Sequence, residues 1–261
     1  MRLSAVISVY NEERQLADCL ATLDFADEIV VLLDKCTDGS EDIARETTDR
    51  IVPGNWPTEG QRRNAGIEAC SGDWIFEIDA DERVPAKLAE EIRRTIETTS
   101  DDWHEILVDN YIGDRLVRWG WGASYGKAAY PGLFRKGVKV WGRQRVHPAI
   151  QIEGEARLLK ERIDHYVYEN IGDMFDRLNR YSTLAAIQAL EGGPAPRLRS
   201  SLRRIFSRAF KSYISRKGRR EGAYGIALAL FSALYPIMTY IKYTVAEEGV
   251  LGIPTRAEQD E

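Results

Sequence analysis

Over the first hundred residues, short and nearly continuous apolar runs alternate with segments whose apolar residues recur every three or four positions. "LSAVISVY" (3–10) and "IVVLLD" (29–34) are β-branched runs of strand length, as expected of parallel strands covered on both faces. "EERQLADCLATL" places Leu16, Leu20 and Leu23 at helical spacing. "SEDIARETT" predicts a second helix capped by Ser40, "RIV" a third strand, "EGQRRNAGIEAC" a third helix, and "WIFEID" (74–79) a fourth strand. Pro85 suits a first helical turn, and Leu88, Ile92 and Ile96 share one face of the helix that follows. The order βαβαβαβα predicts an α/β fold, doubly wound about a mostly parallel central sheet.

After residue 100 the period weakens. "EILVDNY" reads as a strand, "GDRLVRWGWGASYG" is rich in glycine and aromatics, and "LFRKGVKVWGRQRVHPAIQIEGEARL" reads as short antiparallel strands. "NIGDMFDRLNRYSTLAAIQALEGG" is a helix closed by Gly192 and Gly193, and "GGPAP" a linker. The expected organisation is one domain over 1–192, with halves 1–100 and 101–192, followed by a helical region over 193–261.

That last region changes the picture most. Leu198, Leu202, Ile205, Phe206, Ala209, Phe210, Tyr213 and Ile214 form one helical stripe, while Arg199, Arg203, Arg204, Arg208 and Lys211 lie largely off it. Ten Lys or Arg and no acid fall between Arg197 and Arg220, although the whole chain has a net charge of −5. Nucleic acid would attract such a cluster, but the apolar stripe needs burial, and an anionic membrane surface satisfies both faces at once. The expectation is therefore membrane association and no nucleic-acid partner, with homo-oligomerisation through the stripe as its rival. "YGIALALFSALYPIMTYIKYTVA" (224–246) is apolar but interrupted by Pro236 and Lys242, which favours a surface-lying or packed helical hairpin over a span.

With 44% hydrophobic and 30% charged residues over 261 positions, the chain has the composition of a soluble globular protein, which excludes wholesale disorder. Cys19, Cys36 and Cys70 lack metal-ligand spacing and read as reduced thiols. The opening "MRLSAVISVYNEE" meets charge too early for a secretory signal, so the expected location is cytoplasmic.

The chemistry gathers where "WIFEIDADER" runs a buried strand into Asp79, Asp81 and Glu82. Ligands of open α/β sheets bind beyond the carboxyl ends of the strands. Two residues apart on an extended segment, Asp79 and Asp81 can point the same way and share a divalent cation; hard oxygen ligands suit Mg²⁺ or Mn²⁺ with a diphosphate completing the shell. The competing reading is that Asp79 caps the next helix and that Asp81 and Glu82 merely favour its N-terminus. Other polar strand ends, "SVYNEE" (8–13) and "DKCTDGS" (34–40), with the arginines of "GQRRN" (60–64), share that sheet edge and together favour a nucleotide site.

These stretches, "ISVYNEE", Asp34 with "TDGS", "GQRRNAGIEACSGDWIFEIDADER", then "GWG", "VHP" and "DHYVY", resemble family 2 glycosyltransferases of the GT-A (Rossmann-like) fold, with the bacterial lipopolysaccharide core β-glycosyltransferases as the nearest branch. The resemblance implies a nucleotide-sugar donor, a UDP-sugar first of all, held by Ser8, Val9, Tyr10, Glu12 and Asp34, with Arg63 and Asn64 near the diphosphate. It makes Asp79-Ala80-Asp81 the DXD element and adds His165 as a late metal ligand, although a lone His in "IDHYVY" is otherwise a core residue. It implies an inverting transfer to a lipid-linked or cell-envelope glycan on the cytoplasmic face of the inner membrane. Polyprenyl phosphate or protein acceptors are alternatives, as is a non-catalytic, membrane-docked scaffold. The family commonly has an acid where Pro148 follows Val146 and His147. The proton acceptor is then sought among Asp114, Glu82 and His147, with Asp109 and Glu153 behind them. Trp119, Trp121 and Tyr125 are candidates for an acceptor platform, because aromatic faces stack on sugar C–H surfaces.

Overall fold

In the computed structural model, which describes residues 1–122, 126–144 and 148–247, the apolar runs are strands. β1 (Leu3–Val9), β2 (Glu28–Asp34), β3 (Ile51–Gly54) and β4 (Trp74–Asp79) alternate with α1 (Leu16–Leu20), α2 (Ser40–Thr47) and α3 (Glu59–Ala69). Then follow β5 (Glu82–Arg83), α4 (Ala86–Thr98), β6 (Trp103–Ile112), β7 (Arg115–Val117), β8 (Ala129–Arg135), β9 (Lys139–Trp141), β10 (Ile150–Ile152) and β11 (Ala156–Tyr168). The chain ends in α5 (Ile171–Leu190), α6 (Leu198–Phe210), a π-helical turn over 211–215, a 3-10 turn over 218–221, and α7 (Ala223–Glu247).

Two compact units result, 1–109 with 128–166, and 110–127 with 167–261. The helix over 171–190 falls in the second unit with the C-terminal helices.

The first unit is built on a mixed α/β sheet in the order β3-β2-β1-β4-β8-β6-β11-β5. β3, β2, β1 and β4 run parallel, and β8 joins β4 antiparallel. Strand alternation explains why these strands are buried on both faces. Leu3, Ala5, Ile7 and Val9 of β1 pack with Val31 and Leu33 of β2 and with Trp74, Phe76 and Ile78 of β4 on one side; Val6, Val30, Leu32 and Ile75 pack on the other. α4 adds Leu88, Ile92 and Ile96 to the first side, its predicted stripe. Ser40, expected to cap α2, is its first residue; its hydroxyl instead accepts from the Glu12 N–H at the end of β1. At Gly60 of α3 an added Cβ would fall 1.8 Å from the Gly142 carbonyl, so only glycine lets α3 approach the segment after β9.

In the second unit, β7 pairs with residues 110–112, and Ile112, Val117, Trp121, Tyr168, Met174, Leu178, Leu228 and Phe231 form the core. α7 is one continuous helix with Pro236 inside it, not the expected hairpin. It is long and apolar enough to cross a membrane by length and composition alone, yet 39% of its most apolar stretch is buried within the fold.

α6 is folded with its apolar side outward. Leu198, Leu202, Phe206, Phe210 and Ile214 are exposed, Phe206 by 76% and Phe210 by 60%, while Ser201 and Ser212 are buried. Of sixteen exposed large apolar side chains among the described residues, twelve lie beyond residue 170, so the unsatisfied apolar surface belongs mainly to the second unit.

Candidate functional site

β1, β2 and β4 run in one direction, so Val9, Asp34 and Asp79, their last residues, reach the same sheet edge, with Ser8 directly opposite Asp79. The loops after β1 and β2 are clasped together there. Asn11 adopts a left-handed conformation (φ 54°) and its Oδ1 accepts from the Thr37 N–H; the Glu13 N–H donates to Asp38, and the Gly39 N–H to Glu13. Tyr10 is left exposed beside this clasp. Asp34 accepts from the Trp56 N–H at 3.2 Å and faces the Arg62 guanidinium at 3.4 Å.

The three carboxylates ending β4 go three ways. Asp79 binds Arg63 of α3 at 2.8 Å. The chain then turns at Ala80 and Asp81 instead of continuing extended, so the expectation of two aspartates side by side on a strand is corrected. β11 pairs antiparallel with β5, which sets His165 across from Glu82 and brings its Nε2 to 3.3 Å from Asp81 Oδ2. Glu82 turns inward, wholly buried, where its Oε2 accepts from the Asp79 N–H and the Tyr130 hydroxyl. Burial, with the Glu82 and Asp79 charges, raises the Tyr130 hydroxyl far above its ordinary value, so it stays a donor.

Behind Asp79 lies a buried ionic chain that sequence reading missed. Arg63 contacts Glu59, Glu77 and Asp79, each within 2.8 Å. Glu77 is bonded in turn to Lys139 at 2.7 Å and to the Trp141 indole at 3.2 Å. Burial acts to raise the Glu77 carboxyl, but Lys139 and Arg63 outweigh it and hold it below the usual carboxylate range. Burial acts on Arg63 in the opposite sense, and Asp79, Glu77 and Glu59 overcome it, so the guanidinium remains charged. Arg63 therefore acts as the brace of Asp79. Asn64, expected near the diphosphate, uses its amide on the Trp141 backbone, donating to the carbonyl and accepting from the N–H. The available signal was Glu77 itself, a lone acid inside the apolar run "WIFEID".

The fit of this corner to a divalent cation rests on donor chemistry. Asp81 and His165 offer oxygen and imidazole nitrogen, and Asp79 is fixed on Arg63 close by. Among the described residues no three His, Cys, Asp or Glu are grouped as a protein-only metal site. Donors of this kind suit a hard divalent cation that a diphosphate also contacts.

Other sequence candidates fall elsewhere. Glu82 is corrected as a proton acceptor, since a wholly buried carboxylate bonded to Asp79 and Tyr130 is closed to an incoming hydroxyl. Asp109 is buried against Arg162. Glu153 is exposed, and Asp114 is exposed at the β6–β7 turn of the second unit. Trp121 is corrected as a platform: it is buried, stacks on Tyr168 at 6.3 Å, and donates its indole N–H to the Val117 carbonyl. Trp119 is half-buried, with Lys217 and Arg220 over its ring and its backbone N–H on Glu221. His147 and Tyr125 lie outside the described residues.

Residues 4–144 match glycosyl transferase family 2. The chain belongs to that family. Among curated relatives, it is 28% identical over 254 residues to the lipopolysaccharide core biosynthesis glycosyltransferase LpsC of Rhizobium meliloti, covering 92% of this chain and 91% of that protein. It is 26% identical over 122 residues to an uncharacterized glycosyltransferase of Rickettsia typhi, covering 45% and 42%. Among solved structures, residues 1–349 of S. aureus TarS in complex with UDP superpose with a TM-score of 0.51 at 12% identity, covering 95% of this chain and 92% of that one, a likeness of fold. The family and its relatives make this chain a glycosyltransferase.

Proposed function

We propose that this family 2 glycosyltransferase moves a sugar from a nucleotide-sugar, a UDP-sugar first among them, to a lipid-linked glycan of the cell envelope, with inversion at the anomeric carbon. The observation that carries the reading is the convergence, at one edge of a parallel sheet, of Asp34 with Arg62, Asp79 with Arg63, and Asp81 with His165. The β1 and β2 loops, with Ser8, Val9, Tyr10, Glu12 and Asp34, supply hydrogen-bonding groups suited to a base and ribose. Asp81 and His165 would hold Mg²⁺ or Mn²⁺, with Asp79 fixed close by on Arg63; the cation would neutralise charge developing on the departing diphosphate. Ala80 is buried in the turn between the two aspartates.

Inversion requires a group that takes the proton of the attacking hydroxyl opposite the leaving diphosphate. With Glu82 and Asp109 buried, Asp114, His147 and Glu153 are the candidates kept for that role. Trp119 remains the platform candidate for the acceptor.

The exposed stripe of α6, flanked by Arg199 and Arg203, supports docking on an anionic membrane surface, on its cytoplasmic face, where a lipid-linked acceptor would be met. The test is to incubate the protein with a panel of nucleotide-sugars and envelope lipid, with and without Mn²⁺ or Mg²⁺, and to follow nucleotide release. Metal-dependent release from one donor is expected; no release from any donor in either condition refutes the reading.

A further inference from the structure

The ionic chain behind Asp79 ends at a lysine that is closed to any ligand. The Lys139 side chain is wholly buried, and its Nζ donates to the Pro131 carbonyl and to Glu77 Oε2, each at 2.7 Å. Glu77 Oε2 also accepts from the Trp141 indole at 3.2 Å, which leaves Oε1 to Arg63 Nη1 at 2.7 Å. The Arg63 guanidinium then divides three ways: Nε to Glu59 at 2.8 Å, Nη1 to Glu77, and Nη2 to Asp79 Oδ1 at 2.8 Å.

Direction is transmitted along this chain because a guanidinium is a rigid plane whose N–H groups project within that plane. With Glu59 and Glu77 bonded at two of its edges and the centre of the Trp141 ring 4.9 Å from Arg63 Cζ, the remaining edge has one direction left, and it meets Asp79. Lys139 and Trp141 act in the same way on Glu77, one step further back: by occupying Oε2 they turn Oε1 to Arg63. Asp79 is the member through which the chain reaches the sheet edge; its side chain is 28% exposed, against 6% for Glu77.

We propose that Lys139 and Glu77 are positioning residues of the donor site: acting through Arg63, they fix the Asp79 carboxylate where a nucleoside diphosphate arrives with its cation. The inference rests on the donor reading above and adds to it two residues that touch neither donor nor metal. Removing a group that orients a ligand at a cation site typically weakens cation binding about 10–100-fold. The chain also stabilises the fold, so stability and positioning have to be moved apart. A second substitution within the Lys139–Glu77 pair does this.

Calorimetry on the full chain titrates UDP in the presence of Mn²⁺, below the melting temperature of every variant, and urea unfolding is run on the same samples. Lys139→Met frees Glu77 Oε2 from its cation and should weaken UDP binding at least about tenfold. Glu77→Leu/Lys139→Met removes both charges. It should regain much of the stability yet leave Arg63 without the carboxylate that orients it, so UDP binding stays at least about tenfold weaker than in the wild type. Should the single variant not fold, the double variant decides alone. Stability regained without affinity establishes the positioning role. Affinity that returns together with stability, or binding within about twofold of wild type in either folded variant, overturns it and leaves the donor reading standing. A wild-type protein that binds no UDP with Mn²⁺ present overturns both.

Discussion

Removing one half of the Lys139–Glu77 pair should cost more stability than removing both. Lys139 Nζ lies 2.7 Å from Glu77 Oε2 and 2.7 Å from the Pro131 carbonyl, with side-chain exposures of 0% for the lysine and 6% for the glutamate. Lys139→Met keeps the stem but leaves the buried carboxylate to Arg63 and the Trp141 indole, and leaves the Pro131 carbonyl without that donor. A buried pair broken from one side typically loses about 3–5 kcal/mol, and the surviving Arg63 contact argues for the lower end, about 3 kcal/mol. At roughly 2–4 °C per kcal/mol for a chain of this size, Tm should fall by roughly 6–12 °C. Glu77→Leu combined with Lys139→Met should recover much of that, because an apolar replacement of the whole pair is often neutral; the remainder, about 1 kcal/mol, reflects the Trp141 N–H left without this acceptor. Urea unfolding followed by tryptophan fluorescence and circular dichroism measures all three proteins. The pH sense is fixed as well. The folded Glu77 carboxyl titrates below its unfolded value, so its contribution is present above the ordinary carboxylate pKa and is lost as pH falls through the lower folded one. A single variant within about 1 kcal/mol of wild type, or a double variant no better than the single, would refute the reasoning.

Asp81→Asn should abolish Mn²⁺-dependent UDP binding by calorimetry while leaving the unfolding midpoint near wild type; undiminished binding would remove Asp81 from the metal assignment. Burial holds the His104 imidazole below its ordinary value, so the unfolded chain takes up its proton first and stability should drop as pH falls below about 6.5. His104→Leu should flatten that part of the profile, and an unchanged profile would contradict it. Trp121→Ala should cost about 3–5 kcal/mol as a core deletion; a fully stable variant with weakened acceptor binding would restore the platform reading. Gly60→Ala should destabilise the first unit, because its Cβ would meet the Gly142 carbonyl; a melting temperature equal to wild type would show that the backbone yields there.

The parallel strands were legible because both their faces are covered, so apolar runs such as "IVVLLD" carried the signal without needing a period. α4 was legible from Leu88, Ile92 and Ile96, all wholly buried. Side-chain direction after a turn was not. Asp79, Asp81 and Glu82 look equivalent in "DADE", yet the turn at Ala80 and Asp81 sends one to Arg63, one to His165 and one inward. Nor was partner choice legible across long sequence separations: Lys139 reaches Glu77 only because β8 lies against β4 and brings the following β9 with it. Trp119 and Trp121 differ for the same reason. They share one glycine-rich stretch, but Trp121 has Tyr168 to stack on, and Trp119 has cations over its ring. Which side of α6 packs inward was not legible either: it is the side of the small Ser201, with Ser212 of the following turn, that is buried.

The crowding of acids at the end of β4 follows from how each charge is offset. Glu82 has two hydrogen-bond donors inside the protein and contributes little field to the surface edge. Asp79 meets a guanidinium that is itself shared among three carboxylates. Asp81 faces an imidazole, which offsets its charge only when protonated. Asp79 and Asp81 are the two of the three that reach solvent. A dianionic diphosphate would be repelled from such an edge unless a divalent cation arrived with it. Donor and cation should accordingly bind with strong mutual dependence, each weakly alone. Tight binding of UDP to this protein in the presence of a chelator would contradict that coupling.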